Sequence, residues 1–362
     1  MHASIVRMYA AGAVLCVDTA TCRTITLSHP SALNVMTLPM IQDLYRLYIT
    51  EPHPHNDALY VLRGDGRRSF SAGGDVKALA DPHRAEENSK FYMAEYRVDA
   101  HIAAMPQVQV AMWAGHVLGS GVGVSIHSDH RVACETTRFA MPETRIGVVN
   151  DVGTSWVFSS LPIKGLGAYM AITGSAVKGA DAYHAGLATH YIPLERFNEV
   201  EAALTTLPGG SAAESCLDAF AADVPVPPFT LAEHEAVIAK TFGSIEESTR
   251  LQDIMERLRT DGSGFALDTL ALMERISPLA MTLALENMKR QHTPVCSSLM
   301  DCLRGDFAAI QAPGLQREFA IGVEALLVTK EKHPKWTHKS VQDVDVSVVR
   351  SMITPPPSLS SF

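Results

Sequence analysis

The 362-residue sequence has no run of 18 or more apolar residues, so a membrane-spanning helix is not expected. It has no C-x-x-C pair and no zinc-ligand spacing. Its six cysteines (Cys16, Cys22, Cys134, Cys216, Cys296 and Cys302) are scattered. They read as buried thiols in a reducing compartment, not as a disulfide frame. Positive charge is not in excess: 30 Lys+Arg stand against 39 Asp+Glu, a net −9. That balance argues against direct nucleic-acid binding through bulk charge. Internal repeats and long low-complexity segments are also lacking. What the chain does have is apolar material for a real core, 47% hydrophobic residues against 19% charged, which excludes disorder over most of its length. The length allows one large domain or two ordinary ones.

The first third reads as short strands separated by turns. Ala13–Val17 and Thr24–Leu27 form a hairpin around Asp18–Cys22. Pro39–Tyr48 has helical spacing, with Met40, Leu44 and Leu47 on one face and Pro39 at the first position. Glu51–Asp57 is a loop, Ala58–Arg63 a strand closed by Gly64-Asp65-Gly66, and Val108–Trp113 another strand. This order suggests ββα units. From about Leu161 amphipathic stretches take over: Gly165–Ile172, Asp181–Ala185, Ser244–Thr260, Gly264–Arg275 and Pro278–Lys289. Leu207–Ser211 and the Pro-rich Val224–Phe229 read as linkers. Met1–Val17 has one base, Arg7, and no acid; a short mitochondrial presequence and a simple lead-in to the first strand both stay open.

Three segments carry chemistry. Ser69–Lys77 contains Ala72-Gly73-Gly74-Asp75, a small-residue turn from strand to helix that exposes backbone N–H groups. Gly115–Ser125 follows a strand and places Gly119, Gly121 and Gly123 where backbone can approach a ligand. It is neither G-x-G-x-x-G, nor a P-loop, nor a nucleophile elbow. Phe139–Gly147, continuing to Asn150–Gly153, carries Glu143 and Asp151 in apolar surroundings. There a carboxyl can hold or exchange a proton near neutrality, and a pair can divide acid and base roles. Each segment alone has an ordinary structural reading. Together they amount to two N–H donors for a carbonyl oxygen and two carboxylates for its carbon, the apparatus of acyl chemistry through an oxyanion.

With these residues in place the chain resembles the crotonase (enoyl-CoA hydratase/isomerase) superfamily, and within it the 3-hydroxyisobutyryl-CoA hydrolase branch. The resemblance runs through Leu27–Pro30 with Asn34, Ala72–Asp75, Phe139–Thr144, Asp151–Gly153, Thr173-Gly174, Lys178-Gly179, Ala185–His190, Ser277-Pro278 and Pro334–Trp336. It implies an α/β fold: a crotonase-like spiral of ββα units over residues 1–206, a helical C-terminal region over 207–354 and a disordered tail over 355–362. It implies that Gly74 and Ser120 supply the oxyanion-hole N–H groups, that Glu143 and Asp151 are catalytic, and that Glu95 contacts substrate. Gly123 stands where hydratases carry their first catalytic glutamate, which disfavours water addition to a double bond.

The implied reaction is hydrolysis of a short 3-hydroxyacyl-CoA in valine catabolism, in the mitochondrion, with no metal and no cofactor beyond the CoA of the substrate. Partners implied are the acyl-CoA, no membrane, and an open question of homo-oligomers, since crotonases often form trimers. The chain departs from the family pattern at Ser120 (usually glycine), Asn150 (proline), Thr154 (glycine), Ile321 and Glu324. Two other readings therefore stay open: a catalytically altered relative built into the small subunit of the mitochondrial ribosome, and a crotonase for another acyl-CoA. Among weaker signals, His127 and His130 read as a helical pair more often structural than metal-binding. Arg67, Arg68 and Lys77 read as solvated bases before phosphate ligands, and Trp336 as a packing anchor.

Overall fold

The computed structural model describes residues 5–8 and 13–361. The part of the Met1–Val17 reading that falls on residues 1–4 and 9–12 lies outside the described residues. Compactness divides the chain into two units, each assembled from three segments. The first holds Met1–Asp75, Lys90–Phe139 and Val177–Phe229; the second holds Val76–Ser89, Ala140–Ala176 and Thr230–Phe362. Val224–Phe229 thus ends at a unit boundary.

The first unit is built on two sheets. Its strands are β1 (Ile5–Met8), β2 (Ala13–Asp18), β3 (Cys22–Ser28), β4 (Leu59–Gly64), β5 (Ser69–Ser71), β6 (Gln109–Trp113), β7 (His116–Leu118), β8 (His130–Ala133), β9 (Arg138–Ala140), β10 (Val177–Lys178) and β11 (His190–Tyr191). The larger sheet runs β1-β2-β3-β4-β6-β8-β11 and the smaller β10-β9-β7-β5. The hairpin read from the sequence is present: β2 and β3 pair antiparallel, Val14 opposite Leu27. From β3 onward the larger sheet is parallel. Its central strands β4 and β6 are accordingly buried and mostly apolar on both faces, as parallel strands covered by connections are. On one face Leu59, Val61, Val110, Met112 and Val132 pack on Phe197, Val200, Leu204 and Leu217. These last come from the helices Phe197–Thr205 and Ala213–Ala221. Trp113 is fully buried and its indole N–H donates to Ser125 Oγ at 3.0 Å, in the helix Ser120–Ile126.

Some local expectations shift. The helix beginning at Leu38 stays α-helical to Tyr45 and then widens into a π turn, Arg46–Thr50. The Arg23 guanidinium donates to the carbonyls of Leu47 and Glu51 there, at 2.6 and 2.7 Å, and satisfies groups the widened turn leaves open. Leu207–Ser211 is not a linker. Gly210 N–H donates to Asp57 O at 2.8 Å and Ser211 N–H to Asp57 Oδ1 at 3.1 Å, which pins the segment to the loop before β4.

In the second unit the helix Pro278–Arg290 is central, buried along most of its length. Pro278 occupies its first turn and Ser277 Oγ accepts from Ala280 N–H at 3.1 Å, a side-chain N-cap. Around it pack the helices Leu166–Thr173, Thr154–Phe158 and Val346–Met352 and the turn Glu143–Ile146. The helix expected over Ser244–Thr260 starts later, at Leu251. Asp253 Oδ2 accepts the Arg250 N–H at 2.7 Å and fixes that start.

Candidate active site

In the first unit the turn Ala72–Asp75 is held from two sides. Asn34, buried and left-handed at φ 57°, donates from Nδ2 to Asp65 O and Ser69 O at 3.0 and 2.8 Å. Ser71 Oγ donates to Asn34 O at 2.8 Å and accepts from Gly73 N–H at 3.2 Å. Met36 and Gly74 form a parallel bridge: Met36 N–H donates to Gly73 O and Asp75 N–H to Met36 O.

The second glycine segment lies directly against this turn. Gly73 has φ +95°, and a Cβ there would come to 3.2 Å from the Leu118 carbonyl oxygen. A Cβ on Gly121 would meet Ser71 Cβ at 2.7 Å. Glycine at these two positions is what lets the strand ends and the helix start approach. The structure also accounts for Ser120. The left-handed position is Gly119, at φ 49°, while Ser120 is the first residue of the helix. A Cβ costs nothing there, and the backbone N–H of a first-turn residue has no partner within its own helix. Glu95, on the long helix Ala85–Ala104, is fully buried, with Asp99 equally buried one turn on.

In the second unit Glu143 opens the 3-10 turn Glu143–Ile146. Gly147, left-handed at φ 80°, ends the turn, and Val148 N–H returns to Glu143 O at 3.0 Å. The carboxyl of Glu143 is held well above the usual range, first by its withdrawal from water and then by the neighbouring charge of Asp151. Asn150 moderates this: its Nδ2 donates to Met141 O at 2.9 Å and reaches Glu143 Oε2 at 3.5 Å. Asp151 is buried, and Thr154 donates to its carbonyl from both N–H (3.0 Å) and Oγ1 (2.8 Å). Asn150 and Thr154, the departures noted from sequence, are thus built into the loop.

That loop is strained. Val152 has φ 52° and Gly153 φ 72°. For β-branched Val152 the left-handed conformation costs about 1–2 kcal/mol, so something must hold it. Gly153 N–H donates to Oδ2 of Asp306 at 3.0 Å. Asp306 is fully buried, and its carboxyl is raised to about 6 by burial. A second buried carboxylate, Glu318, accepts from Ser277 Oγ (2.6 Å), Thr337 N–H (3.1 Å) and Thr337 Oγ1 (2.5 Å). It fixes the segment bearing Trp336, whose ring would lie 2.9 Å from a Cβ on Gly147. Trp336 is therefore a packing anchor, as read.

The weaker signals resolve within the units. His127 follows the end of its helix and His130 begins β8, so the two do not share a helix face. His130 lies against His190 instead. Arg67 is taken up by Glu201 at 3.5 Å, by Asn198, and by the Phe197 ring at 5.7 Å. Gly74, Ser120 and Glu95 belong to the first unit, Glu143 and Asp151 to the second.

A family model described as Enoyl-CoA hydratase/isomerase matches residues 22–353. The chain belongs to this family. Among solved structures, one titled as a carnitinyl-CoA dehydratase from Mycobacterium thermoresistibile is 30% identical, with TM-score 0.83 over 95% of this chain and 97% of that one. Another, titled as an enoyl-CoA hydratase from Rhodobacter sphaeroides, is 27% identical, with TM-score 0.79 over 98% of each chain. The architecture is therefore the mixed α/β crotonase fold that the sequence led one to expect. Curated relatives named 3-hydroxyisobutyryl-CoA hydrolase, mitochondrial, include one from Xenopus tropicalis, 34% identical over 91% of this chain and 86% of the relative. Another, from Homo sapiens, is 32% identical over 88% and 83%. The chain is a crotonase-family acyl-CoA enzyme. No helix among the described residues is long and apolar enough to cross a membrane.

Proposed function

We propose that this enzyme hydrolyses the thioester of a short 3-hydroxyacyl-CoA, 3-hydroxyisobutyryl-CoA, in the valine-degrading chemistry of the mitochondrion. The observation that carries the reading is the pair Glu143 and Asp151 on one segment, the carboxyl of Glu143 raised by burial and by Asp151, while Gly123 leaves no second glutamate for hydration. The names of the curated relatives point the same way.

In the proposed reaction the backbone N–H groups of Gly74 and Ser120 hold the thioester oxygen. Each such donor contributes roughly 10²–10³ in rate in comparable sites. Ionised Glu143 attacks the carbonyl carbon: the carbon–oxygen bond forms, the carbon–sulfur bond breaks and CoA leaves as its thiolate; water then cleaves the acyl-glutamate anhydride, which frees the acid, restores the carboxylate and supplies the proton that the thiolate takes. Alternatively Glu143 takes a proton from the water that attacks the carbonyl carbon directly and passes it to the departing thiolate. Asp151 orients the substrate hydroxyl or activates the water that completes hydrolysis. Glu95 contacts the substrate. No step calls for a metal or a cofactor besides the CoA of the substrate.

The test is thiol release from 3-hydroxyisobutyryl-CoA by the purified protein, with Glu143→Ala as control. Release that the substitution abolishes supports the reading. A folded protein that binds CoA but releases no thiol would turn it toward another acyl-CoA. Absence of both, with co-sedimentation on mitochondrial ribosomal small subunits, would replace it with a structural role.

A further inference from the structure

One buried carboxylate in the second unit has no part in the proposed chemistry and yet touches the loop that carries it. Asp306 sits on the helix Leu299–Gln311, which belongs to a chain segment 153 residues away from Gly153. Its Oδ2 accepts the Gly153 N–H at 3.0 Å, and its Oδ1 accepts Asn287 Nδ2 at 3.0 Å. The same Asn287 nitrogen reaches Ser155 Oγ at 3.0 Å, two residues beyond Gly153. Gln291 Nε2 donates to Asn287 Oδ1 at 3.2 Å and Cys296 Sγ to Gln291 Oε1 at 3.1 Å. Asp306, Asn287 and Ser155 are all at most 1% exposed. A loop with two consecutive left-handed residues, one of them valine, is thus gripped at its second left-handed residue and again just after it.

We infer that Asp306 is a positioning residue for Asp151: by holding the Gly153 N–H it keeps Val152 and Gly153 left-handed and so sets where the Asp151 carboxylate points. The inference rests on the reading of Asp151 given above. Its chemistry is ordinary. An ionised carboxylate has two acceptor oxygens and here meets two N–H donors from different elements, and charge-assisted bonds of this kind are the strong ones. With its carboxyl raised to about 6, Asp306 is ionised at neutral pH. The nearby Arg290 guanidinium supports that state, anchored by donating to Ile353 O and Asp301 O at 2.5 and 3.0 Å. An amide in place of the carboxylate presents an NH₂ to one of the two donors and loses one grip.

Two measurements test this. The first uses the unmodified protein: hydrogen exchange of the Gly153 amide should be as slow as that of buried helix amides, although Gly153 lies in a turn. Exchange as fast as that of an exposed loop overturns the inference. The second is a double-mutant cycle on thiol release. Asp306→Asn should lower kcat by about 10²-fold, the effect of misplacing a catalytic group by about an ångström. The same substitution on an Asp151→Asn background should change kcat by no more than about twofold, because it acts through Asp151. Equal losses on both backgrounds would mean a general structural role and would overturn it. If Asp151→Asn itself leaves turnover intact, the reading of Asp151 fails. Slow Gly153 exchange that becomes fast in Asp306→Asn would then show the clamp to exist without that purpose.

Discussion

Glu143 is the residue on which chemistry and stability pull in opposite directions. Burial and the charge of Asp151 disfavour its ionised form, which suits a group that exchanges a proton and costs the folded state. Glu143→Gln should therefore lower thiol release by roughly 10²–10⁴-fold while raising the melting temperature at neutral pH. The gain should shrink as pH falls toward the ordinary carboxylate range, where the group is protonated whether folded or not; a melting curve at several pH values checks it. Ser120 offers a cleaner probe. As the first residue of its helix it tolerates proline, whose missing N–H breaks no intrahelical bond. Ser120→Pro should leave the melting temperature close to that of the parent and lower kcat by about 10²–10³-fold, the contribution of one oxyanion donor. Ser120→Ala, which keeps the N–H, should retain turnover.

At the scale of elements, two helices present a carboxylate where an apolar stripe is due. In Leu299–Gln311 the buried face reads Cys302, Leu303, Asp306, Phe307, Ile310, and in Pro313–Val323 it reads Leu315, Glu318, Phe319, Gly322, Val323. Glu318→Ala leaves Thr337 and Ser277 without their acceptor and should cost about 2–3 kcal/mol, read as a shift of the denaturant midpoint at unchanged slope.

Neither carboxylate was singled out from the sequence, and their partners could not have been. Gly153 is 153 residues from Asp306, and Ser277 is 41 from Glu318. Periodicity reports which face is inward and says nothing about what waits there. By contrast the hairpin Ala13–Leu27, the strands at Ala58 and Val108 and the helix at Pro278 were legible, because alternation, turn glycines and an N-terminal proline are local signals. The segments that carry Gly74, Glu143 and Asp151 stood out by local composition as well, while the roles given to these residues came from the family resemblance. The left-handed Val152 was not, since no local rule places valine there. Nor was the late helix start at Leu251, decided by Asp253 closing back on Arg250.

At the scale of the whole molecule, the raised carboxyls set a pH dependence. Between the ordinary carboxylate range and about pH 6, folded Asp306 keeps a proton that the unfolded chain has released, and Glu143, raised by burial and by Asp151, is shifted in the same direction. Their contribution to stability therefore falls as pH rises through that window. In the double variant Glu143→Gln/Asp306→Asn, unfolding free energy plotted against pH should slope more positively between pH 4 and 6 than in the parent, as denaturant titrations at fixed pH steps would reveal.

Each compact unit is also stitched from three separate stretches, and the bond between Gly153 and Asp306 spans 153 residues. On a translating ribosome, at about 5–20 residues per second, the loop bearing Asp151 emerges roughly 8–30 s before the residue that grips it. If Asp306 aims Asp151 as inferred, for that interval the nascent chain carries the Asp151 loop with nothing to hold its left-handed turn, so a product stalled short of Asp306 should lack the grip however faithfully its first 300 residues had been made.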